Sequence, residues 1–182
     1  MGHLKIMAEK NWLKSIPLQT GYYFAGFTDG EGSFNVSIRK GEGYKYGWQF
    51  AFTFNVSQKD KVILALLKRY LGCGHLKQRR DGLWSFVVEN QNSLIERVIP
   101  FFEKFHFLSS KMKRNFSIFK QIMLVVKEGE HIKPKGIKRI LELREKLNEG
   151  RGRKRRYNLK DVYIPKEKSS ETIRQIPRKF RE

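Results

Sequence analysis

The chain has 182 residues, 40% of them apolar and fourteen of them phenylalanine, which suits one domain able to bury a core. Its formal net charge of +20 implies a polyanionic partner, nucleic acid ahead of an acidic membrane face. No apolar run approaches the roughly 18 residues of a membrane span, residues 1–17 hold no signal-peptide core, and the single cysteine, Cys73, excludes a disulfide framework and a zinc finger.

Taken in order, the chain opens with a short lead in which Trp12, Leu13 and Ile16 suit one helical turn. Pro17 separates it from an apolar helical run, with Thr20 as the expected N-cap. That run ends in Phe24-Ala25-Gly26-Phe27-Thr28-Asp29-Gly30-Glu31-Gly32. Glycine inside a helix costs about 1 kcal/mol against alanine. Two glycines four apart, Gly26 and Gly30, suggest close approach of another backbone. Glu31 falls at the helix C-terminus, where the macrodipole disfavours negative charge unless a cation sits beside it. The plain alternative is a core helix ending in an ordinary glycine turn.

Past Gly32 the period changes to two, with Phe34, Val36 and Ile38 alternating with Asn35, Ser37 and Arg39. Gly41-Glu42-Gly43 marks a turn, beside which stands Tyr44. In the next run Tyr46, Trp48, Phe50, Phe52, Phe54 and Val56 share one face, and Gly47, Gln49, Ala51, Thr53, Asn55 and Ser57 the other. The second face is polar but almost uncharged, and its amide side chains can read base edges from a ribbon laid in the major groove. A simple solvated face is the competing reading.

Asp60 to Leu71 predicts a helix, with Val62, Ile63, Leu66, Leu67 and Tyr70 at helical spacing and Gly72 as its stop. A second hairpin turns at Arg80-Asp81-Gly82, with Lys77 and Arg79 on one strand and Ser85 on the other as candidate nucleic-acid contacts. Ser93 and Glu96 have the spacing of a capping box for a helix toward Phe105. Phe116, Phe119, Met123 and Val126 predict another, broken by Pro134 and Gly136, and Ile137, Ile140, Leu141 and Leu147 a last one. Residues 151–182 hold twelve lysines and arginines against four acids and read as a basic arm on a domain spanning residues 1–150.

FAGFTDGEG, continuing into Ser33 and Phe34, resembles the LAGLIDADG signature of homing endonucleases. The order helix, hairpin, helix, hairpin, helices is similar to that family's α+β, αββαββα fold, in which a saddle-shaped antiparallel sheet lies over the DNA major groove and C-terminal helices follow. The resemblance implies metal-dependent, site-specific cleavage of double-stranded DNA, with an intron-encoded gene, a long pseudo-palindromic target and short 3′ overhangs. Glu31 stands where the family has its metal ligand, Gln58 matches an active-site glutamine, and Lys111, with Lys113 as the alternative, matches an active-site lysine. Mg²⁺ is the implied ion, with Mn²⁺ or Ca²⁺ able to take its place. DNA contacts are expected from Asn35, Ser37, Arg39, Tyr44, Gln49, Asn55, Lys77, Arg79, Ser85, Lys113 and, in a C-terminal backbone-contacting segment, Lys168 and Ser169. One motif per chain implies a homodimer joined through Ala25, Gly26 and Gly30, acting inside an organelle or a microbial cell, with no membrane and no small-molecule substrate. Asp29 is expected to brace the helix end rather than bind metal. An intron RNA maturase and a non-catalytic DNA-binding regulator on the same scaffold are the rival readings.

Overall fold

The computed structural model describes residues 11–44, 46–149 and 155–162. A short helix, α1 (Asn11–Lys14), leads to the motif helix α2 (Leu18–Glu31). Helix α2 runs without a loop into β1 (Gly32–Lys40), which pairs with β2 (Trp48–Gln58). Helix α3 (Lys61–Leu71) connects to β3 (His75–Gln78) and β4 (Trp84–Val88). The four strands form one antiparallel sheet in the order β1-β2-β4-β3. Helix α4 (Gln91–Ser93) passes through a π-helical turn (Leu94–Val98) into α5 (Ile99–Lys104). Two longer helices, α6 (Ser110–Lys127) and α7 (Pro134–Lys146), complete the domain. The expected α+β order of helix, hairpin, helix, hairpin and helices is the order observed.

The alternation in β1 and β2 sorts as the sequence predicts. Phe34, Val36, Phe52, Phe54 and Val56 are buried beneath the sheet, with Phe86 and Val88 of β4 beside them. Phe34 is the hub of this layer: its ring lies 5.0–6.1 Å from those of Phe54, Phe102, Phe107, Phe116 and Phe119. Burying a phenylalanine of this kind stabilises by about 1.5–3 kcal/mol, so the cluster holds strands and helices together.

Several local expectations shift. Helix α2 begins directly after Pro17, so Thr20 lies inside it rather than at its cap. In α3 the buried stripe is Leu64, Leu67 and Leu71, whereas Val62 is 65% exposed and Leu66 also faces outward. Asn90, not Ser93, caps α4, accepting the Ser93 N–H at 3.0 Å. Pro134 opens α7 instead of ending α6, because its missing N–H is one that a helix start leaves unpaired in any case. Residues 155–162 do not behave as a separate arm. Val162 is buried with Ile38, Ile137 and Leu141, and the Tyr157 ring meets Trp48 edge-on at 5.0 Å.

The close approach within α2 belongs to Gly21, which the sequence did not single out. A Cβ there would lie 2.1 Å from Cε1 of Phe105, a fully buried ring packed against Tyr22 and Phe101. Gly21→Ala gains about 1 kcal/mol of helix propensity. The overlap outweighs it, so the net expectation is a loss of about 1–3 kcal/mol, read as a lower midpoint in urea unfolding.

Candidate active site and nucleic-acid interface

The strand register brings Glu31 and Gln58 to one end of the sheet. Gly32 pairs with Val56, so Glu31, one residue before the ladder begins, stands at the end where β2 finishes in Gln58. Gln58 in turn pairs with Trp84 of β4, which pairs with Gln78 of β3. Glu31 is exposed, and among the described residues its carboxylate engages neither a donor nor a cation. The side chain of Gln58 accepts the Lys59 N–H at 2.8 Å. Gly32 is extended rather than left-handed (φ −91°), so the ordinary glycine turn is not what ends α2.

Asp29 has a role in joining two helices. Its carboxylate accepts the N–H of Leu108 at 3.0 Å and that of Ser109 at 2.8 Å, together with the Ser109 hydroxyl. Ser109 is the N-cap of α6, its Oγ accepting the Met112 N–H at 3.2 Å. Burial pulls the Asp29 carboxyl up, but the Ser109 hydroxyl, the two backbone N–H groups and the charge of Lys113 outweigh it and hold the carboxyl below the usual range. The end of the motif helix is thereby tied to the first turn of the helix carrying Lys111 and Lys113, both exposed. Lys113 is the lysine whose charge reaches Asp29. No local pattern marks Ser109 as a partner of Asp29, because the contact spans 80 residues of chain.

The outer face of the sheet carries most of the candidate reading residues in one array. The register sets Arg39 against Gln49, Ser37 against Ala51, Asn35 against Thr53 and Ser33 against Asn55. Asn55 continues to Val87 and His75, and Ser57 to Ser85 and Lys77. Neighbouring strands lie about 4.8 Å apart and β2 is about 36 Å long, so this is a continuous polar surface. Tyr44 is exposed beside it, and Arg79 is held by Asp81 at 2.8 Å in the β3–β4 turn. Ser85 departs from expectation: it lies in the outer array but is 7% exposed, its hydroxyl sharing a 2.7 Å hydrogen bond with Ser57. Lys168 and Ser169 lie outside the described residues.

Two further features escaped the sequence reading. Lys61 places its Nζ 4.3 Å above the Trp84 ring, a cation at the Gln58 end of the sheet. Asn148, at positive φ, donates to the Phe34 carbonyl at 2.7 Å and lies 3.5 Å from Oδ1 of Asn35, steadying the edge of the array. Residue type hinted at neither.

Along α2, Ala25 is 1% exposed and belongs to the protomer's own core, which removes it from the expected dimer contact. Gly26 and Gly30 face out, with nothing within 4 Å of where a Cβ would stand. Tyr22 and Tyr23, 51% and 57% exposed, extend the same outer side of the helix. Cys73 is no nucleophile: burial pushes its thiol up to about 11, with Arg97 pulling it partly back. Among the described residues no three histidine, cysteine, aspartate or glutamate side chains gather as a metal cage.

Known proteins resemble this chain in sequence and fold. The chain is similar to "Probable intron-encoded endonuclease 2" of Neurospora crassa, with 37% identity over 132 residues, covering 70% of this chain and 29% of that protein. It is also similar to "Homing endonuclease I-ApeII" of Aeropyrum pernix, with 31% identity over 57% of this chain and 62% of the relative. The chain therefore spans under a third of the Neurospora relative's length and somewhat under two thirds of the archaeal one's. Among solved structures, the archaeal intron-encoded homing endonuclease I-Vdi141I complexed with DNA matches with a TM-score of 0.72 and 32% identity, over 78% of this chain and 91% of that one. I-SmaMI, bound to an uncleaved DNA target in the presence of calcium ions, matches at 0.68 and 30% identity, over 72% of this chain and 46% of that one. The family profile described as LAGLIDADG endonuclease matches residues 24–123, more than half of the sequence, and the chain belongs to that family.

Proposed function

We propose that this chain is a site-specific, metal-dependent DNA endonuclease that cuts a long pseudo-palindromic duplex site as a homodimer. The observation that carries the proposal is the carboxylate of Glu31, unpartnered among the described residues and held at the end of a sheet whose outer face sets polar side chains beside Arg39 and Lys77. Intron-encoded relatives and neighbours solved with DNA support the substrate class.

The division of labour follows from position. Asn35, Ser37, Gln49 and Asn55 supply amides and hydroxyls for base edges, and Arg39, Lys77 and Arg79 supply charge for phosphates or guanine. Glu31 is a hard oxygen donor, suited to Mg²⁺, an ion that takes few protein ligands and fills the rest of its shell from phosphate oxygens and water. A cation bound there would supply electrophilic stabilisation of the phosphate and an activated water. Gln58 orients water at that end of the sheet. A lysine of the first α6 turn, Lys111 or Lys113, offsets charge gathering on the phosphate oxygens.

One chain offers one such carboxylate, and cutting two strands requires two. A twofold pairing through the outer side of α2, centred on Gly26 and Gly30 and flanked by Tyr22 and Tyr23, sets two Glu31 side chains close together. Two half-arrays on a twofold axis match two half-sites on the duplex.

Glu31→Gln keeps the side-chain volume and removes the charge. It is expected to abolish cleavage of a supercoiled target plasmid while changing the DNA dissociation constant by less than about threefold; an active Glu31→Gln protein removes the assignment of Glu31. A Cβ at Gly26 has no described neighbour within 4 Å, and Gly26→Leu improves helix propensity by about 0.8 kcal/mol. Its circular dichroism should match wild type while sedimentation equilibrium gives a monomer. A surviving Gly26→Leu dimer places the contact elsewhere.

A further inference from the structure

We propose that Asp29 is a positioning residue of the cleavage reaction, holding the lysine-bearing first turn of α6 in register with Glu31. The inference rests on the endonuclease reading above and adds a residue to it. Asp29 and Glu31 are two residues apart at the end of α2, so whatever Asp29 grips is fixed relative to Glu31. What it grips is the start of another helix, through the Leu108 N–H, the Ser109 N–H and the Ser109 hydroxyl. Ser109 passes the restraint on to Met112 N–H, between Lys111 and Lys113 in the chain.

The grip requires a carboxylate. Three donors converge on two oxygens, Oδ2 taking both backbone N–H groups and Oδ1 the hydroxyl. An asparagine has one acceptor oxygen and would aim its NH₂ at whatever donor the other position meets. The charge also suits the place. The unpaired N–H groups of the α6 N-terminus favour a nearby anion, whereas the C-terminal end of α2 does not. Asp29 sits at both, and its bonds are made to the α6 side. Leu108 beside it is 84% exposed, so between the buried Phe107 and Met112 the polar tie is what fixes this turn.

Displacing a catalytic group by about 1 Å costs on the order of 100-fold in rate. Asp29→Asn is therefore expected to slow single-turnover cleavage of a bound target by about 10- to 100-fold while leaving the DNA dissociation constant within about threefold of wild type. Amide exchange measured by mass spectrometry on the uncut protein should accelerate at Leu108 and Ser109, independently of any metal or activity. The decisive measurement is a double-mutant cycle on the single-turnover rate, combining Asp29→Asn with Lys111→Ala and with Lys113→Ala. If Asp29 acts through the lysine, its effect collapses in the background of the lysine that matters. Ser109→Ala, which removes one of the three donors, should show the same coupling at smaller size and serves if Asp29→Asn folds poorly. Wild-type protein that cuts no DNA sinks the endonuclease reading and this role with it. Active wild type with an Asp29→Asn protein of undiminished rate, or one slowed equally in both lysine backgrounds, overturns the positioning role alone.

Discussion

The site depends on a junction with no loop in it. Helix α2 passes straight into β1, and the Gly32 N–H still bonds to the Thr28 carbonyl as the backbone leaves the helix. Any side chain at Gly32 would strike that residue, since a Cβ would lie 2.4 Å from Thr28 Cγ2 and 2.6 Å from Thr28 O. Thr28 cannot yield, being fully buried. Its hydroxyl has no hydrogen-bond partner among the described residues, so packing alone keeps it there. Because helix and strand share a fixed joint, the strand register also becomes the register of Glu31. A one-residue slip would turn β1 over and send Phe34 outward.

The free edge of the same strand is held by a different device. β1 is an edge strand, and exposed edge carbonyls invite pairing with other chains. Here the carbonyls of Phe34 and Val36 are taken by Asn148 Nδ2 and by Arg144 Nε, at 2.7 and 2.9 Å. Arg144 is buried and also bonds the Tyr157 carbonyl at 2.9 Å, while Arg155 reaches back to the carbonyls of Glu145 and Leu147. Burial and the nearby Arg155 both push the Arg144 pKa down, and Glu145 works against them. The result ties α7 and residues 155–162 to the strand that carries Asn35, Ser37 and Arg39. The reading array is therefore braced on a side that an isolated hairpin would leave free.

How far the sequence revealed this molecule follows from the range of each interaction. Period-two alternation in β1 and β2 is a local consequence of one buried and one wet face, so both strands and their sorting were legible. The resemblance of the nine-residue motif pointed to Glu31 and that of the second strand's end to Gln58, and the register brings the two to one end of the sheet. Contacts between distant segments left no local mark: Asp29 with Ser109, Gly21 with Phe105, Arg144 with Val36. The error at Ala25 has the same origin. Small residues on α2 suggested close approach, but the sequence could not say whether the neighbour was the partner or the protomer's own core. Gly21 and Ala25 turn inward, and Gly26 and Gly30 turn outward. Val62 and Leu66 misled because the apolar arc of α3 is wider than the face it buries, which is Leu64, Leu67 and Leu71.

The exposed and buried sides of α2 explain why one helix can serve both the core and an assembly. The buried side is closed by large rings, with Phe24 against Tyr70 and Gly21 beneath Phe105. The outer side carries two tyrosines and two glycines with open space above them, a surface that admits another backbone at close range. Such a surface contributes little to the protomer, and its glycines cost helix stability that no contact among the described residues recovers. Glu31 repeats the pattern, an anion at a helix C-terminus with no cation beside it among the described residues. Under the proposed function, both costs would be met by a second copy covering the glycines and by a cation, bound with DNA phosphate, neutralising the carboxylates. On this argument the protomer is unfinished at one face of one helix, and completing that face assembles the site.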